Sequence, residues 1–386
     1  MTILNKTNYP YIYPNSIDMR SDTMVHQIRN WNDADYWYCE FLLGEGFNTF
    51  KIDSLVPSDI LDKIKTDDNT FLVLCNCHEA FHSIVDPIYK FVIEYANIPP
   101  NKVIVLTESA DLHTAVLDYT VKNNVKPFNV EWIRCFQSGV KGQRHRQLRN
   151  PEYIRPNILA LKPYPKRYLN FNRRWRLHRP ALVSLLIAKN LLDKGYVSLG
   201  KSDCGTRWNS VFGWIEGRLS QDPELKILLE SNKERIINTP DLYLDNTDLM
   251  TNKAELTVDT DSLYAETLVS IASETNFFPE FETGRFLSEK TWKPMAYRHP
   301  FIVVTVPRTL ELLRSMGYKT FHPFIDETYD TEEDPVRRLK LIVNEIERIS
   351  NLTDEEVNHF ISNIVNITVH NYLRLMNNTK FVTKTL

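Results

Sequence analysis

The sequence predicts an α/β protein built from two Rossmann-like domains that face a cleft. Short apolar runs alternate with segments of helical periodicity along the chain, which is typical of parallel sheets covered by helices. A stretch rich in Gly, Arg and Pro, residues 137–166, interrupts this alternation. We therefore predict an N-terminal domain over residues 1–150, a basic linker over 151–166 and a C-terminal domain over 167–386.

Buried parallel strands are expected in the N-terminal domain, because its short apolar runs are bounded by turn or cap residues. In sheets of this kind, ligands bind beyond the carboxyl ends of the strands. The predicted strands are 71–76, 102–107 and 129–134, and the predicted helices are 79–97 and 110–122.

The C-terminal domain shows a second α/β pattern. A strand at 167–171 precedes a helix at 179–193, which Gly195 is expected to cap, and a strand at 196–199 follows. The acidic, turn-rich residues 235–262 are interpreted as a surface excursion. Further strands are predicted at 268–273 and 300–305, and further helices at 308–316, 333–350 and 353–376.

The composition is that of a soluble protein without a membrane partner. The chain is 42% hydrophobic and 25% charged over 386 residues, which allows two cores of ordinary size. No apolar run approaches the roughly 20 residues of a membrane span, and the first residues do not resemble a signal peptide. Five cysteines, an odd number, favour reduced thiols in a cytoplasm. We expect a monomer or a weak dimer.

Positive charge is concentrated in one part of the chain. Residues 134–179 contain thirteen Lys and Arg but one acid, Glu152, so they carry +12 although the whole chain carries −3. Aromatic residues such as Tyr153 and Trp175 interleave the cations. Such a segment suits a polyanion, which can be a nucleoside diphosphate, a nucleic acid or an acidic polysaccharide. The alternative is a solvated basic segment between domains.

The clearest candidate binding motif lies at 288–294. Glu289, Lys290 and Lys293 stand where a helix should begin, directly before the strand at 300–305. A helix start favours bound phosphate, lysines add positive charge, and a carboxylate accepts hydrogen bonds from ribose hydroxyls. A nucleotide sugar combines these groups. The alternative is a solvated amphipathic helix with an i,i+4 pair between Glu289 and Lys293.

Four arginines follow the predicted strand at 167–171. Because the guanidinium fork suits phosphate oxygens, this strand-to-helix turn is a second candidate anion site. The alternative is the solvated end of a linker. The four residues are Arg173, Arg174, Arg176 and Arg179.

A carboxylate, Glu108, ends the strand at 102–107. A strand-end carboxylate that opens onto a cleft can act as a general base, and partial burial would raise its pKa. The alternative is an N-cap cluster, since Ser109 and Asp111 are good helix caps.

An H-E-x-x-H match comprises His78, Glu79 and His82. Zinc proteases place this motif within a helix, whereas here it follows a strand directly. With Cys75 and Cys77 nearby, a structural metal site is a second alternative. We favour strand-end and helix-cap residues that line the cleft.

Together these segments resemble inverting GT-B glycosyltransferases of the α1,3-fucosyltransferase type and their tailed-phage relatives. In that family a Thr-Glu-Lys helix start holds the donor, and residues 288–290 match it. A strand ending in Glu-Ser-Pro carries the catalytic base, and residues 108–110 match it except for Ala110. The family's glycine-containing turn is replaced by residues 297–300, and Pro294 is awkward for a continuing helix.

The resemblance implies a transferase that uses a UDP- or GDP-linked sugar and needs no metal. Glu108 would be the base, and Arg144, Arg146, His78 and Glu79 are assigned to the acceptor side. Some related phages glycosylate hydroxymethylated cytosine, so DNA in an infected host's cytoplasm is the expected acceptor. A cell-surface or lipopolysaccharide glycan and a non-enzymatic nucleic-acid-binding module are the alternatives. The donor-binding residues are Arg173, Arg174, Arg176, Arg179, Glu289, Lys290, Thr291 and Lys293.

Overall fold

The structure is a computed structural model of the chain. It describes residues 25–31, 34–40, 56, 58–76, 84–151, 153, 158–172, 176–199, 208–240, 242, 244, 261–278 and 284–377. The H-E-x-x-H motif at 78–82, Arg173 and Arg174 lie outside these residues.

The chain divides into two compact units. Unit 1 comprises Met1–Cys135, Glu282–Phe286 and Thr379–Leu386, and unit 2 comprises Phe136–Phe281 and Leu287–Asn378. The domain limits at residues 150 and 167 stay a prediction.

Unit 1 contains a five-stranded sheet in the order β1-β2-β3-β4-β5. β1 and β2 pair antiparallel, and the remaining neighbours pair in parallel. The strands are β1 (Val25–Trp31), β2 (Ala34–Glu40), β3 (Thr70–Asn76), β4 (Val103–Thr107) and β5 (Asn129–Trp132).

The core of unit 1 lies between β3, β4 and three helical segments. Leu72, Leu74, Val103 and Val105 are buried strand residues, and Val116 is buried on a covering helix. The segments are α1 (Ser58–Thr66), α2 (Val85–Pro87), which continues as a π-helical stretch (Ile88–Glu94), and α3 (Leu112–Asn123).

Unit 2 contains a four-stranded parallel sheet in the order β7-β6-β8-β9. The order reverses at β6, because the chain places β7 on one side of it and β8 on the other. Ligands bind at such a reversal, beyond the carboxyl ends of the strands. The strands are β6 (Lys166–Asn170), β7 (Gly195–Val197), β8 (Thr267–Ser273) and β9 (Phe301–Val304).

Helices cover the sheet of unit 2. Every residue of α5, the helix that follows β6, is buried, so this helix forms part of the core. The helices are α4 (Cys135–Arg149), α5 (His178–Ala188), α6 (Trp208–Leu219), α7 (Pro223–Ser231), α8 (Lys233–Ile237), α9 (Asp261–Ala265), α10 (Glu289–Ala296), α11 (Thr309–Ser315), α12 (Pro335–Ser350) and α13 (Asp354–Asn377).

The predicted α/β class is confirmed, with a largely parallel sheet in each unit. Strands β3 to β9 all agree with their predicted positions to within one or two residues. The hairpin of β1 and β2 was not predicted. Most of the excursion at 235–262 lies outside the described residues.

Three local predictions are wrong. Residues 135–149 form α4 rather than an irregular segment, because its buried residues pack inward although its composition is polar. Gly195 does not cap the predicted helix: α5 ends at Ala188, and Asn190 takes the left-handed conformation with φ of 58°. Gly195 instead ends a short 3-10 helix, Leu192–Lys194. Gly195 is extended, and a Cβ there would overlap the Tyr168 ring.

The helix at 289 also continues past Pro294, to Ala296. Pro294 removes one helical N–H, but α10 ends two residues later, so few helical bonds depend on it. The Pro294 carbonyl accepts from the backbone N–H groups of Tyr297 (3.1 Å) and His299 (2.8 Å). The proline therefore stands where the chain leaves the helix.

Within the described parts of the chain, every helix is too short or too polar to cross a lipid bilayer.

Candidate functional site

Polar side chains cluster where the strand order of unit 2 reverses. Asn170 ends β6, and its Nδ2 donates to the Ile271 carbonyl (2.7 Å) and to Ser273 Oγ (3.1 Å) on β8. Asn172 is fully buried, and its Nδ2 donates to Asn170 Oδ1 (2.5 Å). Its Oδ1 has no hydrogen-bond partner among the residues that the structure describes. A buried amide oxygen in this position can accept a hydrogen bond from a ligand.

Glu274 follows β8 directly and anchors the start of α10. Its side chain is fully buried. Oε1 accepts from the Ser288 backbone N–H (3.0 Å) and from Thr291 Oγ1 (2.5 Å), and Oε2 accepts from Ser288 Oγ (2.6 Å). Burial raises the pKa of Glu274, while the Lys290 charge and these hydrogen bonds lower it, and the net shift is upward. The carboxylate therefore fixes the first turn of α10 against the end of β8.

The start of α5 holds the backbone of the same segment. Arg179 Nη2 donates to the carbonyls of Ser273 (3.0 Å) and Glu274 (3.1 Å). His178 Nε2 donates to the Glu274 carbonyl (2.9 Å), and its ring stacks on Phe277. Burial, followed by the Arg179 charge, holds the pKa of His178 well below its ordinary value, so the imidazole is neutral. Thus α5 and α10 are both tied to Glu274.

The start of α10 carries a buried ion pair. Ser288 is the N-cap and accepts from the Lys290 N–H. Lys290 Nζ lies 2.5 Å from Glu289 Oε1, and the two side chains are 17% and 8% exposed. Burial alone would raise the pKa of Glu289, but the charge and hydrogen bond of Lys290 and the charge of Lys293 lower it to about 2. At neutral pH the pair is therefore ionised.

After α10 an arginine takes the backbone conformation that glycine usually adopts. Arg298 takes the left-handed conformation, with φ of 56°. The next residue, His299, donates from Nε2 to the Thr267 carbonyl (2.9 Å), and its Nδ1 accepts from Ser270 Oγ (2.8 Å). Burial lowers the pKa of His299 to about 4, so it bonds β8 as a neutral ring.

In unit 1, Glu108 lies immediately beyond β4 and is 4% exposed. Trp132 Nε1 donates to its backbone carbonyl (3.0 Å). The following turn binds a second segment of unit 1: the Ala110 N–H donates to the Arg285 carbonyl (2.9 Å), and Arg285 Nε donates to Asp111 Oδ2 (3.0 Å). Asp111, the residue before α3, thus forms an ion pair with Arg285.

Predicted acceptor residues on α4 have contrasting surroundings. Arg144 is 3% exposed; its Nη1 donates to Gln147 (2.7 Å) and Tyr153 (2.7 Å), and its guanidinium lies over the Tyr297 ring. These are contacts within unit 2. Arg146, in contrast, is exposed.

The structure brings part of the predicted donor set together. Arg179 and Thr291 donate hydrogen bonds to Glu274, and the charges of Lys290 and Glu289 shift its pKa. Arg176 is half-buried, and its carbonyl accepts from the Arg179 N–H (2.8 Å).

Two residues of this cluster, Asn172 and Glu274, were not predicted as separate site residues from the sequence. Glu274 carried a usable signal: like Glu108, it directly follows an apolar strand. Its role depends on Ser288 and Thr291, which lie 14 and 17 positions away and reach it only through the fold.

Within the described residues, no three His, Cys, Asp or Glu side chains are grouped as metal ligands. The H-E-x-x-H residues lie outside that part of the chain, so the metal-site alternative stays a prediction.

No family model and no curated protein matches the chain. A mutant of TarM from S. aureus, solved with fondaparinux, α-GlcNAc-glycerol and UDP, aligns with 81% of this chain and 52% of its own, at 14% identity and a TM-score of 0.32. The UDP-forming α,α-trehalose-phosphate synthase from Burkholderia vietnamiensis aligns with 80% and 65%, at 10% identity and a TM-score of 0.36. The chain thus spans about half of the one protein and under two thirds of the other. TM-scores of 0.32 and 0.36 are too low to assign a function to the chain.

Proposed function

We propose that the chain transfers a sugar from a nucleoside diphosphate to an acceptor hydroxyl, with inversion, as GT-B enzymes do. The observation that carries the proposal is the placement of the α10 start at the strand reversal of unit 2, where Glu274 joins it to β8. Phosphate oxygens fit Lys290 and the helix N-terminus, and ribose hydroxyls fit Glu289.

In this mechanism Glu108 takes the proton of the acceptor hydroxyl. The acceptor oxygen forms a bond to the anomeric carbon while the bond from that carbon to the diphosphate oxygen breaks, and the diphosphate leaves with the electron pair. Lys290, Lys293 and Arg176, together with Arg173 and Arg174, neutralise the leaving group, so no metal is needed. Arg179 adds charge and holds the loop after β8.

We further propose that the acceptor is a hydroxymethylated cytosine in phage DNA. The support is the net charge of +12 over residues 134–179 and the exposure of Arg146 and Arg149 on α4. Burial of Arg134, Arg144 and Arg179 removes three of these cations from such a surface. A DNA acceptor requires a binding affinity that falls as salt rises. For each phosphate contacted, the affinity should fall about tenfold when the salt concentration rises tenfold.

The test is a panel of UDP-, GDP- and CMP-sugars, offered with hydroxymethylcytosine DNA and with plain DNA. We expect a pentose or hexose mass increment on the modified nucleoside only. Donor binding is measured separately by thermal shift. A ligand at 100 times its dissociation constant raises the free energy of unfolding by about 2.7 kcal/mol. Nucleotide binding without DNA modification would favour a glycan acceptor, and no nucleotide binding would favour the nucleic-acid-binding module.

Lys290→Ala tests the assignment of the site. Removal of one charge-stabilising group should lower turnover about 10²–10³-fold. Lys319→Ala, at an exposed lysine of unit 2 outside α10, is the control and should keep wild-type turnover. Equal turnover of Lys290→Ala and wild type would contradict the assignment.

A further inference from the structure

The lysine at the start of α10 is already neutralised within the chain. Its ammonium lies 2.5 Å from Glu289, and both side chains are largely buried. A phosphate that attracts Lys290 therefore weakens an existing ion pair. Because a buried charge without a partner is costly, the ligand's gain at Lys290 is offset by a loss at Glu289.

The surroundings make this loss difficult to avoid. Glu274 is a second carboxylate beside Glu289, and its own acceptor positions are used by Ser288 and Thr291. Lys293 contributes an attractive charge, but Lys290 is the ion-pair partner in contact. A released Glu289 thus remains close to a like charge.

We propose that the Glu289–Lys290 pair makes this site selective for ligands that bring both a diphosphate and vicinal hydroxyls, and that it discriminates against inorganic pyrophosphate. The inference rests on the proposed function and specifies its donor site. A nucleoside diphosphate gives each member of the pair a new partner. Its phosphate accepts from the Lys290 ammonium, and its ribose hydroxyls donate to the Glu289 carboxylate. Pyrophosphate replaces only one half. The buried Asn172 Oδ1 at the same strand reversal is a further acceptor for a ligand hydroxyl or amide.

The experiment measures dissociation constants of UDP, GDP and inorganic pyrophosphate by calorimetry, for wild type and Glu289→Gln. In wild type we expect the better nucleotide to bind at least about 100-fold more tightly than pyrophosphate, as two charge-assisted contacts allow. Glu289→Gln frees Lys290 and weakens the acceptor for ribose. Pyrophosphate should then bind about tenfold more tightly and the nucleotide about tenfold more weakly.

Glu345→Gln is the matched control. Glu345 is equally buried in unit 2 and pairs with Arg348 at 2.6 Å, away from α10. This variant should keep the wild-type ratio of the two affinities. A changed ratio in this control as well would overturn the inference, because the effect would then follow from any lost ion pair.

A measurement on the wild-type protein keeps the test independent of how Glu289→Gln folds. The 2′,3′-dideoxy form of the better nucleotide should bind about 100-fold more weakly, close to pyrophosphate, because it leaves Glu289 unpaired. Two results for the wild type would overturn the inference while the proposed function stands. These are equal dissociation constants for nucleotide and pyrophosphate, or equal dissociation constants for the nucleotide and its dideoxy form. Wild type that binds neither UDP nor GDP would overturn the proposed function as well.

Discussion

Each unit ends a buried parallel strand with a glutamate, Glu108 after β4 and Glu274 after β8, but the sheets around them differ in topology. In unit 1 the described strands lie in sequence order, whereas in unit 2 the order reverses at β6. A reversal separates the connecting segments and leaves space for a ligand at the strand ends. The same residue type after a strand therefore has different expected roles, set by where the neighbouring elements go.

In unit 2 the glutamate is an anchor. Glu274 receives three hydrogen bonds from residues 288–291, and its backbone is held by α5. In unit 1 we propose that the glutamate is the catalytic base. The comparison predicts that substitution at Glu108 mainly impairs turnover, and that substitution at Glu274 mainly impairs stability.

The largest effect is expected for Glu108→Gln. Loss of a general base lowers turnover by about 10²–10⁴-fold, whereas the isosteric amide should leave the melting temperature nearly unchanged. The measurement is initial rate with the preferred donor and acceptor, together with a thermal melt. Glu131→Gln is the control, since Glu131 is a half-buried carboxylate of β5 whose pKa is raised by burial. Normal turnover in Glu108→Gln would place the base elsewhere.

The next effect concerns the anchor. Glu274→Ala leaves the Ser288 and Thr291 donors without their acceptor and should lower the free energy of unfolding by about 3 kcal/mol, as measured by urea denaturation. Glu274→Gln should recover part of this loss, because an amide oxygen can still accept one bond. Glu108→Ala is the comparison from unit 1. An equal loss there would show that the two strand-end glutamates do not differ as anchors.

Glu274 and Glu289 are expected to change the free energy of unfolding in opposite directions as the pH falls below neutral. Glu289 has a folded-state pKa of about 2 against an ordinary 4.5, so its contribution is full above pH 4.5 and is lost as pH falls towards 2. Between pH 7 and pH 3 we expect Glu289→Gln to remove up to about 2 kcal/mol of that pH dependence. The raised pKa of Glu274 has the opposite sign, so its protonation favours the folded state as pH falls. Urea denaturation from pH 7 to pH 3 measures both, and an unchanged slope in Glu289→Gln would contradict this account.

The sequence predicted the parts of the molecule that depend on local pattern. Apolar runs bounded by turn or cap residues located β3 to β9, and the charges of Glu289, Lys290 and Lys293 located the start of α10. Predictions were wrong where packing decides: polar α4 looks irregular in sequence, but Arg144 is held between Tyr153 and Tyr297.

The candidate site was predicted in part for the same reason. Lys290 and Arg179 are recognisable as anion-binding residue types wherever they occur. The hydrogen bond from Arg179 to the Glu274 carbonyl, and the proximity of Lys290 to the Glu274 carboxylate, require the strand order β7-β6-β8, which no local pattern encodes. The burial of Thr291 against Glu274, and the pairing of Lys290 with its own neighbour, likewise follow from tertiary structure.

The smallest expected effect on stability comes from glycine substitutions at one helix end in each unit. Asn124, after α3, and Arg298, after α10, both have positive φ, 52° and 56°. Asparagine tolerates this conformation, whereas a long side chain costs roughly 1–2 kcal/mol there. Arg298→Gly should therefore stabilise the protein by about 1 kcal/mol and Asn124→Gly by only a few tenths, as measured by urea denaturation. Equal effects of the two substitutions would show that the turn at Arg298 is not strained.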